Sequence, residues 1–137
     1  MLSRYNGVMT RTLVAVISDL MFQSRVRAPA GALGYDVRVA DSAAAVRDAL
    51  AADARLVVLD LHVSGIDWRD AVAAAKEHGV PVLAFGRHTE AALLREARAA
   101  GCDRVVPRSQ FAEELTAMLS EAPVRRGGKH LAPRDTR

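Results

Sequence analysis

The sequence predicts a doubly wound α/β domain built on a five-stranded parallel sheet, and three observations lead to this prediction. The chain has 137 residues, enough for one well-packed domain. From residue 12 onward, short apolar runs alternate with helical patterns, which is typical of βα repeats around a parallel sheet. Half of the residues are apolar and few are aromatic, which suits thin Ala-rich helices on a Val-rich sheet. We therefore expect right-handed crossovers and a functional site at the carboxyl ends of the strands.

Five segments have the apolar character of strands. The first, residues 13–17, is a continuous apolar run, as expected of a strand that is buried on both faces. The other strands are predicted at residues 35–40, 56–59, 81–85 and 104–106.

Helical patterns follow each strand. They predict helices over residues 21–33, from about 43 to 51, and over 68–78, 90–100 and 111–120. Pro29 is expected to kink or shorten the first helix, because proline lacks a backbone donor and crowds the carbonyl one turn earlier.

Capping residues set the ends of these helices. Asp41 or Ser42 can cap the second helix and Asp67 the third, through side-chain oxygens that accept backbone N–H groups. Gly34 and Gly101 are expected to end the first and fourth helices.

Composition divides the chain into an N-terminal extension (1–11), the domain (12–121) and a basic C-terminal tail (122–137). The net charge of +3 comes from the two ends, and the body has more acidic than basic residues. We therefore expect no nucleic-acid binding by the folded body. No apolar run is long enough to cross a bilayer and the start lacks a signal core, so we expect a soluble, cytoplasmic protein.

Cys102 is the only cysteine, which excludes an intrachain disulfide and argues against a thiolate metal site. We expect it to be a small core residue.

Polar residues follow the predicted strands where a doubly wound sheet carries its chemistry. Asp19 follows the first strand, Asp60 ends the third, Gly86 and His88 follow the fourth, and Arg108 follows the fifth. Two converging carboxylates can bind a hard divalent cation, and one of them can accept a phosphoryl group.

Three short motifs occur in the order and spacing of a known family. Residues 60–65 (D-L-H-V-S-G) look like a D-L-x-M-P-G turn, residues 97–103 (A-R-A-A-G-C-D) like an A-x-x-A-G-A-D segment, and residues 34–37 (G-Y-D-V) like a G-Y-x-V strand entry. On these motifs, residues 12–121 resemble the receiver domains of response regulators, a family with a flavodoxin-like (βα)₅ fold. The resemblance implies Asp60 as the phosphoacceptor, with Mg²⁺ held by Asp19, Asp60 and the backbone carbonyl of His62.

The sequence departs from the family pattern around this site. Ser18 replaces one of two acidic residues, Gly86 replaces a Ser or Thr hydroxyl, and Val105 replaces a mobile aromatic ring. Arg108 replaces a lysine, and its planar fork does not place charge as an ammonium does. Each change removes part of the cation site or of the bistable element that a phosphorylation switch needs.

We interpret the chain as a stand-alone, degenerate receiver that is not an enzyme and whose Mg²⁺ site is weak or absent. It would act through contacts with proteins of a signalling pathway, among them a histidine kinase, or through a homodimer. The expected interface is the face of the fourth helix, fifth strand and fifth helix, whose charged residues are Arg95, Arg98, Arg104, Glu113 and Glu114. Trp68 is either a core residue, which we favour, or an anchor for a partner.

Two alternatives stay open. The first is a working phosphoacceptor of a two-component system, phosphorylated on Asp60 with Mg²⁺. The second, which carries less weight, is a domain that binds a small ligand or cofactor. Residues 60–65 also fit the D-x-H-x-x-G loop of cobalamin-binding domains, but that loop belongs after the first strand, so we read His62 as an exposed loop residue.

Overall fold

A computed structural model describes residues 11–122 of the chain. Its five strands are parallel and lie in the order β2-β1-β3-β4-β5. Their bounds are β1 (Arg11–Val16), β2 (Tyr35–Val39), β3 (Ala54–Asp60), β4 (Val82–Gly86) and β5 (Arg104–Pro107). This strand order is that of a doubly wound sheet, so the predicted fold class is confirmed.

Within residues 11–122, six helices connect and cover the strands. Their bounds are α1 (Leu20–Ala32), α2 (Ala43–Ala51), α3 (Trp68–Glu77), α4 (Ala91–Ala100), α5 (Arg108–Glu113) and α6 (Leu115–Ser120). Helices α2, α3 and α4 pack on one face of the sheet, and α1, α5 and α6 pack on the other.

The central strands supply both layers of the core because successive side chains point to opposite faces. In β1, Val14 and Val16 join the cluster under α2, α3 and α4, while Leu13 and Ala15 join the cluster under α1, α5 and α6. All four side chains are fully buried. The continuous apolar run of β1 therefore reflects a strand that is covered on both sides.

Three phenylalanines form the aromatic part of the core layer under α1, α5 and α6. Phe85 of β4 stacks on Phe111 of α5 with ring centroids 4.4 Å apart, and Phe22 of α1 lies 5.1 Å from Phe85. These contacts fix the first turn of α1 and the whole of α5 against the carboxyl end of β4.

The predicted caps have the expected geometry. The side chain of Ser42 accepts the N–H of Ala45 at the start of α2, and that of Asp67 accepts the N–H of Arg69 at the start of α3. Gly101 ends α4 in the left-handed conformation, at φ 109°.

Two helix predictions need correction. Helix α1 is not shortened at Pro29 but continues for a full 13 residues, because Pro29 lies in the last turn and removes only one internal hydrogen bond. The helix predicted at 111–120 is two short helices that begin three residues earlier. The break is at Glu114, whose backbone (φ −113°, ψ 21°) leaves the helical region, and no glycine or proline there marks it in the sequence.

The ends of the domain are described only in part. Strand β1 already includes Arg11, one residue before the predicted start of the domain. The rest of the predicted extension and nearly all of the basic tail lie outside residues 11–122. Within the described range, none of the helices has the length and apolarity that a membrane span requires.

The same substitution should have opposite effects at two glycines. Gly31 lies in α1 with no atom within 4 Å of an added Cβ, so Gly31→Ala should raise the free energy of unfolding by about 0.5–1 kcal/mol. At Gly101 the positive φ and the neighbouring Lys76 side chain both oppose a Cβ, so Gly101→Ala should lower it by about 1–2 kcal/mol. Urea unfolding of both variants beside the wild type measures the two changes. Equal effects of the two substitutions would contradict the backbone geometry at these glycines.

Candidate functional site

Residues at the carboxyl ends of the strands lie along one edge of the sheet. Ser18 and Asp19 follow β1, Asp60 ends β3, Gly86 ends β4, and Arg108 begins α5 directly after β5. Strands β1 and β3 are neighbours, with Val16 opposite Leu59. The edge therefore carries the residues that the sequence singled out.

Asp60 is the one charged side chain in the buried set of the described residues, with 4% of its surface exposed. Its Oδ1 accepts the backbone N–H of His62 at 2.8 Å, which closes the turn after β3. Within residues 11–122 no cation forms an ion pair with Asp60.

Arg108 pairs with Asp19, which follows β1. Its guanidinium donates to Oδ2 of Asp19 at 3.0 Å. It also lies over the ring of Phe22, with 4.2 Å from Cζ to the ring centroid. Phe22 comes three residues after Asp19, so one helical turn of α1 supplies both contacts. The sequence analysis did not predict the contact between Phe22 and Arg108. The only sign of it in the sequence is that Phe22 follows Asp19 by three residues.

Asp19 also caps α1. Its Oδ1 accepts the N–H groups of Met21 at 2.8 Å and Phe22 at 3.2 Å. These bonds favour the charged form of the carboxyl, so the pKa of Asp19 is lowered from 3.8, first by the N–H of Phe22 and then by that of Met21 and by Arg108. The carboxylate thus has partners within the protein on both oxygens.

Two further hydrogen bonds join loops of the edge. The hydroxyl of Ser18, at the position of the missing acidic residue, accepts the N–H of Ser64 at 2.7 Å. The imidazole Nε2 of His62 accepts the N–H of Arg87 at 3.1 Å. The side chain of His62 is half-buried between the loops after β3 and β4, and not fully exposed as the sequence had suggested.

The space beside Gly86 is filled. A Cβ added there would lie 3.1 Å from Cδ2 of Leu94, 3.3 Å from Cδ1 of Leu61 and 3.5 Å from Nε2 of His62. Gly86 itself is buried, and these three side chains surround the position that a side chain would occupy.

The residues on the expected interface have different surroundings. Arg98 donates to the carbonyl of Val105 at 3.3 Å, Arg104 lies 3.7 Å from Glu121, and Arg95 is exposed. Val105 is 7% exposed and packs under α4. It fills the space with a small branched side chain that has no ring to rotate.

Trp68 and Cys102 both pack in the core layer under α2, α3 and α4. Trp68 is 6% exposed within the cluster under α2, α3 and α4, and Arg69 lies over its ring. Cys102 is partly buried against the same cluster, and burial raises the pKa of its thiol to about 11.

The edge fits Mg²⁺ poorly. In the described part of the chain, no three side chains of His, Cys, Asp or Glu come together as ligands. Mg²⁺ requires near-ideal octahedral oxygen coordination, usually with one or two carboxylates free to bind it. Asp19 is occupied by Arg108 and by the start of α1, and Ser18 is engaged with Ser64.

Solved structures that match this fold include response regulators and their receiver domains. The phosphorylated cyanobacterial phytochrome response regulator RcpA matches with a TM-score of 0.69 at 13% identity, over 85% of this chain and 99% of that one. The receiver domain of Francisella response regulator 1452 matches with a TM-score of 0.67 at 16% identity, over 82% and 94%. At these identities the likeness establishes the fold alone. NtrX from Brucella abortus also matches (TM-score 0.64, 20% identity), but the chain spans only 28% of its length. No family model and no curated protein matches the sequence.

The titration of Asp19 should report its contacts. Because its folded-state pKa is lowered, Asp19 stabilises the fold above its unfolded-state pKa, and this contribution is lost as pH falls through the lower folded-state value. Carboxyl NMR should give a lower midpoint for Asp19 in the folded than in the urea-unfolded protein. Arg108→Gln should raise that midpoint only in part, because the N–H of Phe22 is the largest cause. A full return to the unfolded value would contradict the capping geometry.

Restoring a hydroxyl at Gly86 should destabilise the domain. Gly86→Ser forces Leu94 and Leu61 to move, so we expect the free energy of unfolding to fall by about 1–3 kcal/mol. Ala73→Ser, at an exposed position in α3, is the matched control and should change it by less than about 1 kcal/mol. Unchanged urea unfolding of Gly86→Ser would mean that the space beside Gly86 can admit a hydroxyl.

Proposed function

We propose that the domain is a receiver-like signalling module that acts through protein contacts, without phosphorylation and without enzymatic activity. The observation that carries the proposal is the contact of Arg108 with both Asp19 and Phe22. A phosphoryl group on Asp60 would need cationic or N–H partners to be held. Arg108, the cation that the sequence places at this site, instead contacts Asp19 and Phe22 at the start of α1.

The positions that would transmit a phosphorylation signal support the same proposal. A switch needs an element with two discrete arrangements. The position of the sensing hydroxyl is Gly86, and its surroundings are packed by Leu61 and Leu94. Val105 is buried and has no ring that could exchange between two orientations. These two positions therefore support constitutive binding of a protein partner over binding that is controlled by phosphorylation.

The face formed by α4, β5 and α5 is the surface we propose for partner binding, whether by another signalling protein or by a second copy of the chain. Arg95 is exposed on α4 and has no ion-pair partner within residues 11–122. Arg104 and Glu121 form only a long, exposed pair at 3.7 Å, so both charges are available to a partner.

One observation favours a second candidate, a phosphoacceptor. Only Oδ1 of Asp60 accepts a hydrogen bond within residues 11–122, so Oδ2 of this buried carboxylate is left without a protein donor. Buried carboxylate oxygens usually have partners, and a bound cation or water would supply one. The experiment therefore has to separate the two candidates.

Intact-mass analysis after incubation with acetyl phosphate and Mg²⁺ makes that separation. We expect no acid-labile adduct on the wild type and no Mg²⁺-dependent change in Trp68 fluorescence. The Asp60→Asn variant is the control for the site of any adduct. A second variant, Ser18→Asp with Arg108→Lys, restores the acidic pair and the ammonium, and an adduct on this variant alone would assign the lost chemistry to those two positions.

An adduct on the wild type that disappears in Asp60→Asn would overturn the phosphorylation-independent proposal in favour of the phosphoacceptor. Circular dichroism of each variant shows that the fold is retained, so that a negative result reflects chemistry and not unfolding.

A further inference from the structure

A groove of about 390 Å³ lies beside Arg108, between α1, the loop after β4 and the start of α5. The groove is lined by Phe22, which belongs to the core layer under α1, α5 and α6. It therefore lies on the opposite side of the sheet from Leu61 and Leu94, which pack beside Gly86. Its basic residues are Arg25, Arg87, His88 and Arg108. A volume of this size is in the range that accommodates a small organic molecule.

The charge of the groove is positive and largely uncompensated. Arg25 and Arg87 are exposed, and neither forms an ion pair with a carboxylate in the part of the chain that the structure describes. None of the residues found to line the groove is acidic. Asp19 pairs with Arg108 but is not among the lining residues. Converging cations in a concave site raise the local concentration of anions.

The floor of the groove is apolar and aromatic. Phe22 and Ala112 line it, and two guanidinium groups lie over the same ring of Phe22, Arg108 at 4.2 Å and Arg25 at 5.9 Å from its centroid. Guanidinium planes also stack on the rings of ligands. A simple inorganic anion would use the charge but leave the apolar floor unfilled.

We propose that this groove binds a small anion built on a flat ring, with the ring stacked on the Arg108 guanidinium that covers Phe22 and packed against Ala112, and with a carboxylate or phosphate at Arg25 and Arg87. The proposal is independent of whether Asp60 accepts a phosphoryl group. Because Arg108 both lines the groove and holds Asp19, the ligand contacts the residue that ties α5 to α1.

Isothermal titration calorimetry with matched probes tests the ligand class. The probes are naphthoate with neutral naphthalenemethanol, adenosine monophosphate with neutral adenosine, and inorganic phosphate alone. We expect at least one ring-bearing anion to bind with a Kd of about 1 mM or tighter, and its neutral counterpart and inorganic phosphate to bind at least about fivefold more weakly. The naphthoate and nucleotide pairs distinguish a carboxylate from a phosphate as the preferred group.

Variants place the binding in the groove. Arg25→Ala and Arg87→Ala should each weaken the binding of the anion by about fivefold, because each removes an exposed cation that lines the groove. Arg27→Ala is the matched control, since Arg27 is exposed on the same helix but does not line the groove. It should leave the Kd unchanged.

Three results would each overturn the proposal. One is the absence of binding by both ring-bearing anions, and another is inorganic phosphate binding as tightly as they do, which would make the ring irrelevant. The third is a Kd that changes no more in Arg25→Ala and Arg87→Ala than in Arg27→Ala. Thermal unfolding of each variant, matched to the wild type, ensures that a loss of binding is not a loss of fold.

Discussion

The guanidinium of Arg108 lies between a carboxylate and an aromatic ring, and this contact joins the polar edge of the sheet to its core. Asp19 holds one side of the group and also caps α1, while Phe22 packs beneath it. Phe22 in turn contacts Phe85 and Phe111, so β4, α5 and the first turn of α1 are fixed as one unit. Strands β1 and β4 flank β3 in the sheet, so Asp60 lies between the strand that leads into α1 and the strand that carries Phe85.

The remaining contacts of the edge are also made by the protein with itself. Ser18 binds the loop after β3, and His62 of that loop binds the loop after β4. With the pairing of Asp19 and Arg108, these bonds connect the segments that follow β1, β3, β4 and β5. A site that must bind and release a phosphoryl group keeps some of its donors available for that group, since differential contacts are what shift a two-state equilibrium. This edge has most of its polar groups already engaged, which supports the phosphorylation-independent function that we propose.

The sequence predicted the architecture well because its signals are local. Continuous apolar runs marked the buried strands, and Ser42, Asp67 and Gly101 marked helix ends through contacts made within a few residues. The break at Glu114 was not predictable, because the local sequence has neither glycine nor proline there and α5 is positioned by the packing of Phe111.

The candidate site was predicted as a set of positions but not as a set of contacts. Asp19, Asp60 and Arg108 all lie at the expected edge, yet the partner of Arg108 depends on a tertiary distance between residues 89 positions apart. The filling of the space at Gly86 likewise depends on side chains of two other segments, Leu61 and Leu94. The cationic groove combines residues of α1, the loop after β4 and α5, and no spacing in the sequence indicates that they meet.

Arg108 lines the proposed groove and also begins α5, an element of the proposed partner face, and this position has a thermodynamic consequence. An anion in the groove that draws on the charge of Arg108 competes with Asp19 for the same group. If that competition differs between two arrangements of α1 and α5, ligand binding and partner binding are coupled, and the coupling is the same in both directions. If Arg108 keeps its contact with Asp19 in the bound state, the groove and the partner face act independently. Whether the ion pair between Arg108 and Asp19 persists in the bound state therefore determines whether a ligand regulates this module or only occupies it.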